Sequence, residues 1–211
     1  RGEGSYEKAL EAILLAKKHS VPVSCVCVIT KRNLFSAEWL RQKGKELGFS
    51  VCFITLMNKT VDGTKESLDE TPSNQEYAQA LRRIIELKKE GFPVLFSEKT
   101  LDYALNWKMK YDTDRVWGEE PDFDYIKCYA GKYFGIVDVN GDVYPCAATV
   151  DAVEPLNGLT HGFKSAFTHA SKHNCKTCHV TCLNENNLLY GMDLSVIKNS
   201  FKKYFNFSTG F

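Results

Sequence analysis

Charge of one sign is almost cancelled in this chain: 27 Lys and Arg stand against 26 Asp and Glu, a formal net charge of +1. A balance this even gives no broad field to attract nucleic acid or an anionic membrane surface. Long apolar runs are missing as well, and none approaches the roughly 20 residues that cross a bilayer. No charged-then-apolar export signal stands at the front. Internal repeats and low-complexity tracts are also lacking, so each segment has to be read on its own. The chain opens at Arg1 without an initiator Met and passes almost at once into a helical pattern, which suggests a fragment. These absences lead us to expect a cytoplasmic chain with no nucleic-acid and no membrane partner, in which thiols stay reduced.

What is present is ordinary in bulk. The 211 residues suffice for one large domain or two modest ones, and 44% apolar with 25% charged residues suits a globular core. The first half alternates helical and strand patterns. A helix capped by Ser5 carries Ala9, Leu10, Ile13 and Leu14 on one stripe. A strand over 23–30 is nearly all apolar, as for a parallel strand covered on both faces. A helix over 36–47 follows, with Ser36 as cap, Trp39, Leu40 and Leu47 inward, and Gly48 as its stop. Next come a strand over 51–57, a polar loop over 60–71, and a long helix over 72–91 with Tyr77, Ala80, Leu81, Ile84 and Leu87 at helical spacing. A short strand over 93–96 and a helix over 101–109 complete the series. Such a βα repeat implies parallel strands with right-handed crossovers, in a barrel or an open sheet.

In folds of that kind chemistry gathers at the C-terminal strand ends. Those ends carry Thr30, Lys31 and Asn33, then Thr55 and Asn58, then Ser97; Ser24 shares a strand face with Thr30. The competing reading makes Thr30, Asn33, Asn58 and Ser97 loop starters and helix caps, and for each taken alone it is the stronger one.

Composition then shifts. Residues 111–124 are rich in Asp, Glu, Trp and Pro without periodicity and read as a linker or covering loop. Beyond them, 133–139 and 142–144 flank Asn140-Gly141, a two-residue hairpin signal. Helical stretches follow over 162–173 and 194–204. The expected division is 1–110, a linker over 111–127, and a small α+β cysteine-rich domain over 128–211.

Five of the eight cysteines fall in that last part: Cys128, Cys146, Cys175, Cys178 and Cys182, the final three as C-x2-C-x3-C. Two thiolates two residues apart can turn round one corner of a metal or cluster, and four soft sulfurs suit zinc or an iron–sulfur centre alike. Buried thiols or disulfides are the alternative. That alternative fits Cys25, Cys27 and Cys52, which are flanked by apolar residues. It fits the later five poorly, because Asn174, Lys176, Thr177, His179 and Asn184 surround them.

The run from Arg1 to Ile13, RGEGSYEKALEAI, with VITKRNL at 28–34, resembles the middle of a radical S-adenosylmethionine barrel. The run Gly141 to Cys146 resembles the G-x4-C of SPASM and twitch auxiliary-cluster domains, and with Cys128 before it and the C-x2-C-x3-C after it the tail is similar to a twitch domain. The resemblance covers nearly the whole chain. It implies the C-terminal portion of a partial (βα) TIM-like barrel, followed by a domain holding one auxiliary [4Fe–4S] cluster. It further implies, for the full-length protein, S-adenosylmethionine and a second [4Fe–4S] cluster, hydrogen abstraction from a peptide or small-molecule substrate, and an electron donor such as a flavodoxin or ferredoxin. Ser24, Thr30 and Asn58 would help hold the cofactor. Cys128, Cys146, Cys175 and Cys178 come first as cluster ligands, with Cys182 a close competitor and His179 a solvated neighbour.

Two departures stand beside the resemblance. The hallmark C-x3-C-x2-C is absent from these eight cysteines, which is expected if the N-terminal part of the barrel is not included. Five candidate ligands are also one more than a fully ligated cluster needs. A non-catalytic zinc module stapled by four thiolates is the alternative function.

Overall fold

The computed structural model describes residues 2–57, 70–111, 113–150 and 152–209, with side chains as far as 202. Two parallel strands, β1 (Val23–Ile29) and β2 (Phe49–Thr55), pair in register from Val23↔Phe49 to Ile29↔Thr55. Helix α1 (Ser5–Lys18) precedes them and α2 (Ser36–Leu47) connects them. Gly48 ends α2 at φ 76°, a left-handed stop that glycine adopts without strain, and its N–H reaches Gly44 O at 2.8 Å. The two expected caps shift by one residue: Gly4 and Phe35 occupy the cap positions without side-chain bonds, and the serines begin the helices.

Helix α3 (Asn74–Lys89) supplies the largest buried face. Ser73 opens it with a reciprocal cap: its hydroxyl accepts from the Glu76 N–H at 3.3 Å and its own N–H donates to the Glu76 carboxylate at 2.7 Å. The expected stripe of Tyr77, Leu81, Ile84 and Leu87 is fully buried, in one core with Val51 and Phe53. Each such side chain contributes about 1.5–3 kcal/mol of burial. Tyr77 also ties the two strand ends together. Its hydroxyl accepts from the Leu56 N–H at 3.0 Å and donates to Ile29 O at 3.4 Å.

The described residues form a mixed α/β fold with small sheets and one parallel pair, and among them no closed barrel is seen. The strand expected over 93–96 is a single parallel bridge, Val51↔Val94, flanked by bonds from Val51 N–H to Pro93 O and from Leu95 N–H to Val51 O. Pro93 has no N–H to extend the ladder. Strand β1 is covered on one face only, against expectation: Val26 is 63% exposed, and Ser24 shares that open face. Trp39, expected inward, is 48% exposed, while Ala37 and Gly44 are the buried residues of α2. No helix among the described residues is long and apolar enough to cross a membrane.

After α4 (Glu98–Leu105) the chain builds two smaller sheets. Within the stretch expected to be a loop, β3 (Arg115–Trp117) pairs antiparallel with β7 (Cys175–Cys178). The hairpin forms as β4 (Ile136–Val137) and β5 (Asp142–Tyr144), and β6 (Leu156–Asn157) adds a third strand that the sequence did not reveal. Its loop is one residue longer than expected: Asp138 and Asp142 close it, with Gly141 at φ 92°. That is a turn followed by a left-handed glycine, which matches the strand twist. Helices α5 (Gly158–His161) and α6 (Phe163–Ala170) lead back to β7, and α7 (Thr181–Tyr190) and α8 (Leu194–Thr209) end the described chain. Helix α7 seats the second half on the first through Thr181 Oγ1, which donates to Phe53 O at 2.8 Å.

Candidate metal centre

Three separate local structures deliver the cysteines. Cys128 lies beside β7 because its N–H donates to Lys176 O at 3.0 Å. Cys146 leaves β5 and starts a 3₁₀ turn, where the Thr149 N–H donates to Cys146 O at 3.1 Å and the Cys146 N–H reaches Thr149 Oγ1 at 3.3 Å. Cys175 and Cys178 sit at the two ends of β7, opposite Trp117 and Arg115. The C-x2-C segment is thus an extended strand and not a turn. Its hydrogen bonds go to β3, and Thr177 between the thiols is pinned by the Tyr103 hydroxyl at 2.8 Å.

The sulfurs of Cys128, Cys146, Cys175 and Cys178 feel one another's charge. The Cys175 thiol reaches Thr177 O at 3.8 Å; its proximity pulls the Cys128 thiol below the usual range, while Cys128, and then burial, hold the Cys175 thiol above it. Burial pushes the Cys146 thiol up to about 11. Burial, then the charges of Cys146 and Cys128, raise Cys178. Yet among the described residues no three His, Cys, Asp or Glu side chains close tightly enough to hold a single metal ion. Loading a centre would therefore require these side chains to turn inward.

Cys182 is placed differently. It occupies the first turn of α7, packs against the main core, and is raised by burial. Its charge reaches Cys178 as the weakest influence on that thiol. His179 is not solvated, contrary to expectation: it is fully buried and its ring is occupied. Nε2 faces Tyr111 O at 3.2 Å, an atom that only accepts, so the neutral ring carries its proton there, and Nδ1 lies 3.0 Å from Thr55 Oγ1. Burial lowers its pKa.

The other expected contacts separate. Ser24 stands on the open face of β1. Thr30 precedes a 3₁₀ turn (Lys31–Asn33), its N–H donating to Asn33 Oδ1 at 2.7 Å, so both residues act as caps here. Ser97 is the N-cap of α4. Asn58 lies outside the described residues.

Two features of the site escaped the sequence. Asn187 on α7 accepts from the Tyr129 N–H at 2.8 Å, while its buried Nδ2 has no hydrogen-bond partner, and its amide is among the groups that lower the Cys128 thiol. Arg115, buried with its Nε 3.1 Å from Asp114 Oδ1, sits across the ladder from Cys178. Asn187 is hidden because a helix with three asparagines and no apolar stripe does not look like one. A small cleft of about 120 Å³, lined by Cys128, Cys175, Lys127 and Lys132 among others, opens the pair toward solvent.

Gly131 fixes the approach of this segment to α6. It sits at φ 72°, and a Cβ there would stand 2.6 Å from Ala170 O. Gly131→Ala is expected to cost at least about 2 kcal/mol, read as a lowered urea midpoint, since a left-handed alanine alone costs 1–2 kcal/mol.

Comparison with family models, with curated proteins and with solved structures gives no match to this chain.

The donor set nevertheless suits an iron–sulfur centre. Four soft sulfurs arrive from three segments, and the unpaired buried Asn187 amide is one that a negatively charged Cys128 sulfur would satisfy.

Proposed function

We propose that the chain is the C-terminal part of a radical S-adenosylmethionine enzyme, with the parallel pair belonging to a partial barrel and the second half holding an auxiliary [4Fe–4S] cluster. The observation that carries this reading is placement: Cys128 packs against the cluster that holds Cys146, and its N–H donates to Lys176 O within the strand that bears Cys175 and Cys178. These four would hold the cluster, and Cys182 stays in the core. When bound, such a cluster supplies a store for one electron at a potential set by its surroundings. The chain's own residues contribute the setting. Asn187 Nδ2 offers a hydrogen bond toward Cys128, Thr149 Oγ1 lies 3.8 Å from Cys146 Sγ, and β3 covers β7.

S-adenosylmethionine, the second cluster, and a peptide or small-molecule substrate belong to the full-length protein in this reading. Ser24 and Thr30 lie on the half assigned to the barrel, and a flavodoxin or ferredoxin would be the electron donor. The 120 Å³ cleft over Cys128 and Cys175 gives that donor a short path. Anaerobic reconstitution with iron and sulfide is expected to give a brown protein whose reduced form shows a [4Fe–4S] EPR signal. A colourless protein that takes up one zinc and no iron would establish the zinc module instead.

A further inference from the structure

A second cleft, of about 600 Å³, lies away from the cysteines, between the segment after α3 and helix α8. Its size is that of a small-molecule site. One wall is the apolar segment after α3: Phe92 and Val94 form its buried backing at 3% exposed, and the half-buried Leu95 is its more open residue. The opposite wall is one face of α8. Ser195, Lys198, Asn199 and Lys202 line it at spacings of three, four and seven, so a polar helix face looks into a cavity.

Charge on this wall is unbalanced. Lys198 and Lys202 are four apart on one helix, where like charges repel, and neither has a carboxylate partner among the described residues. Lys88 joins them from α3, held at the rim by bonds to Val94 O at 2.7 Å and Asn199 Oδ1 at 3.2 Å. Lys99 is neutralised by Asp193, and Glu98 is the acid that lines the cleft. The floor carries a separate mark. Ser50, 1% exposed, lines the cavity with a hydroxyl that has no hydrogen-bond partner. A buried hydroxyl left unpaired is a cost that a ligand oxygen reaching the floor would remove.

We propose that this cleft binds a phosphate monoester carried on a flat apolar body, of nucleotide size, with the phosphate on the α8 lysines and the body on the Phe92–Leu95 wall. Lysine clusters take phosphate as point charges without fixed geometry, and the volume accommodates more than the anion alone. The site does not depend on the cysteine centre, and a metal-free protein serves to test it.

Calorimetric titration of the whole chain with AMP, adenosine and inorganic phosphate separates the contributions. AMP is expected to bind with a Kd below about 1 mM, and adenosine and phosphate each at least about tenfold more weakly. Lys198→Glu and Lys202→Glu should each weaken AMP at least about tenfold, since a charge-assisted contact becomes a repulsion. Both side chains are exposed, so the variants should keep the parent's circular dichroism and urea midpoint. Ser50→Ala should weaken AMP while keeping the fold. No binding by AMP, adenosine binding as tightly as AMP, or unchanged affinity in both charge-reversed variants overturns the proposal.

Discussion

Cys178→Ala is expected to leave the reconstituted protein with roughly a tenth or less of its iron, whereas Cys182→Ala keeps the iron and the EPR signal of the parent. The asymmetry follows from placement. Cys178 ends β7 opposite Arg115, on the same strand as Cys175, so its loss breaks the set of four. A cluster missing one thiolate exposes an iron to water and oxygen, and even an outer-shell change in a metal site costs 10–100-fold in affinity. Cys182, in the first turn of α7, contacts the main core, and alanine there removes a partly buried sulfur at about 1 kcal/mol. Iron and sulfide content per chain, measured after desalting under argon, tells the two apart. Equal losses in both variants would put Cys182 among the ligands, and equal retention would remove Cys178 from them.

How far the sequence could be read depended on where each element's stabilisation comes from. Helix α3 was legible because its apolar residues repeat at the helical period and a Ser73–Glu76 cap marks its start. The hairpin was legible because Gly141 is required at a positive φ, although the loop length was not. Strand β3 was not legible. Arg115-Val116-Trp117 sits among acids, and it is a strand because β7 pairs with it, a partner some 60 residues on. Helix α7 failed for a related reason. Its buried face is Thr181, Asn184, Glu185 and Asn187 as much as Leu188, so no hydrophobic stripe announces it. The cysteine pattern was legible in part because the C-x2-C spacing of Cys175 and Cys178 is a local property, carried here by one strand. What it could not supply was their setting: the β7 extension, the buried His179 and the Asn187 amide all depend on packing between distant segments.

Glu185→Ala is expected to destabilise the fold by about 3–5 kcal/mol, the largest single-residue effect outside the apolar core. Glu185 is 7% exposed. It stands where an anion is favoured, at the N-terminus of α4. One oxygen accepts from the Ser97 N–H at 2.9 Å, the Ser97 hydroxyl at 2.7 Å and the Thr100 hydroxyl at 2.7 Å. The other accepts from Asn199 Nδ2 at 3.0 Å, and Asn199 in turn accepts from Lys88. One side chain of α7 therefore fastens α4, α8 and the end of α3. Alanine would orphan three donors at the head of α4 and leave a polar void. Glu185→Gln keeps the shape but turns an amide toward those donors, and about 2 kcal/mol of loss is expected from it. Urea unfolding of the three proteins gives the ordering parent, Gln, Ala by midpoint. An alanine variant within about 1 kcal/mol of the parent would mean that water replaces the carboxylate at the α4 terminus, and that α7 is held mainly by its contacts with β2.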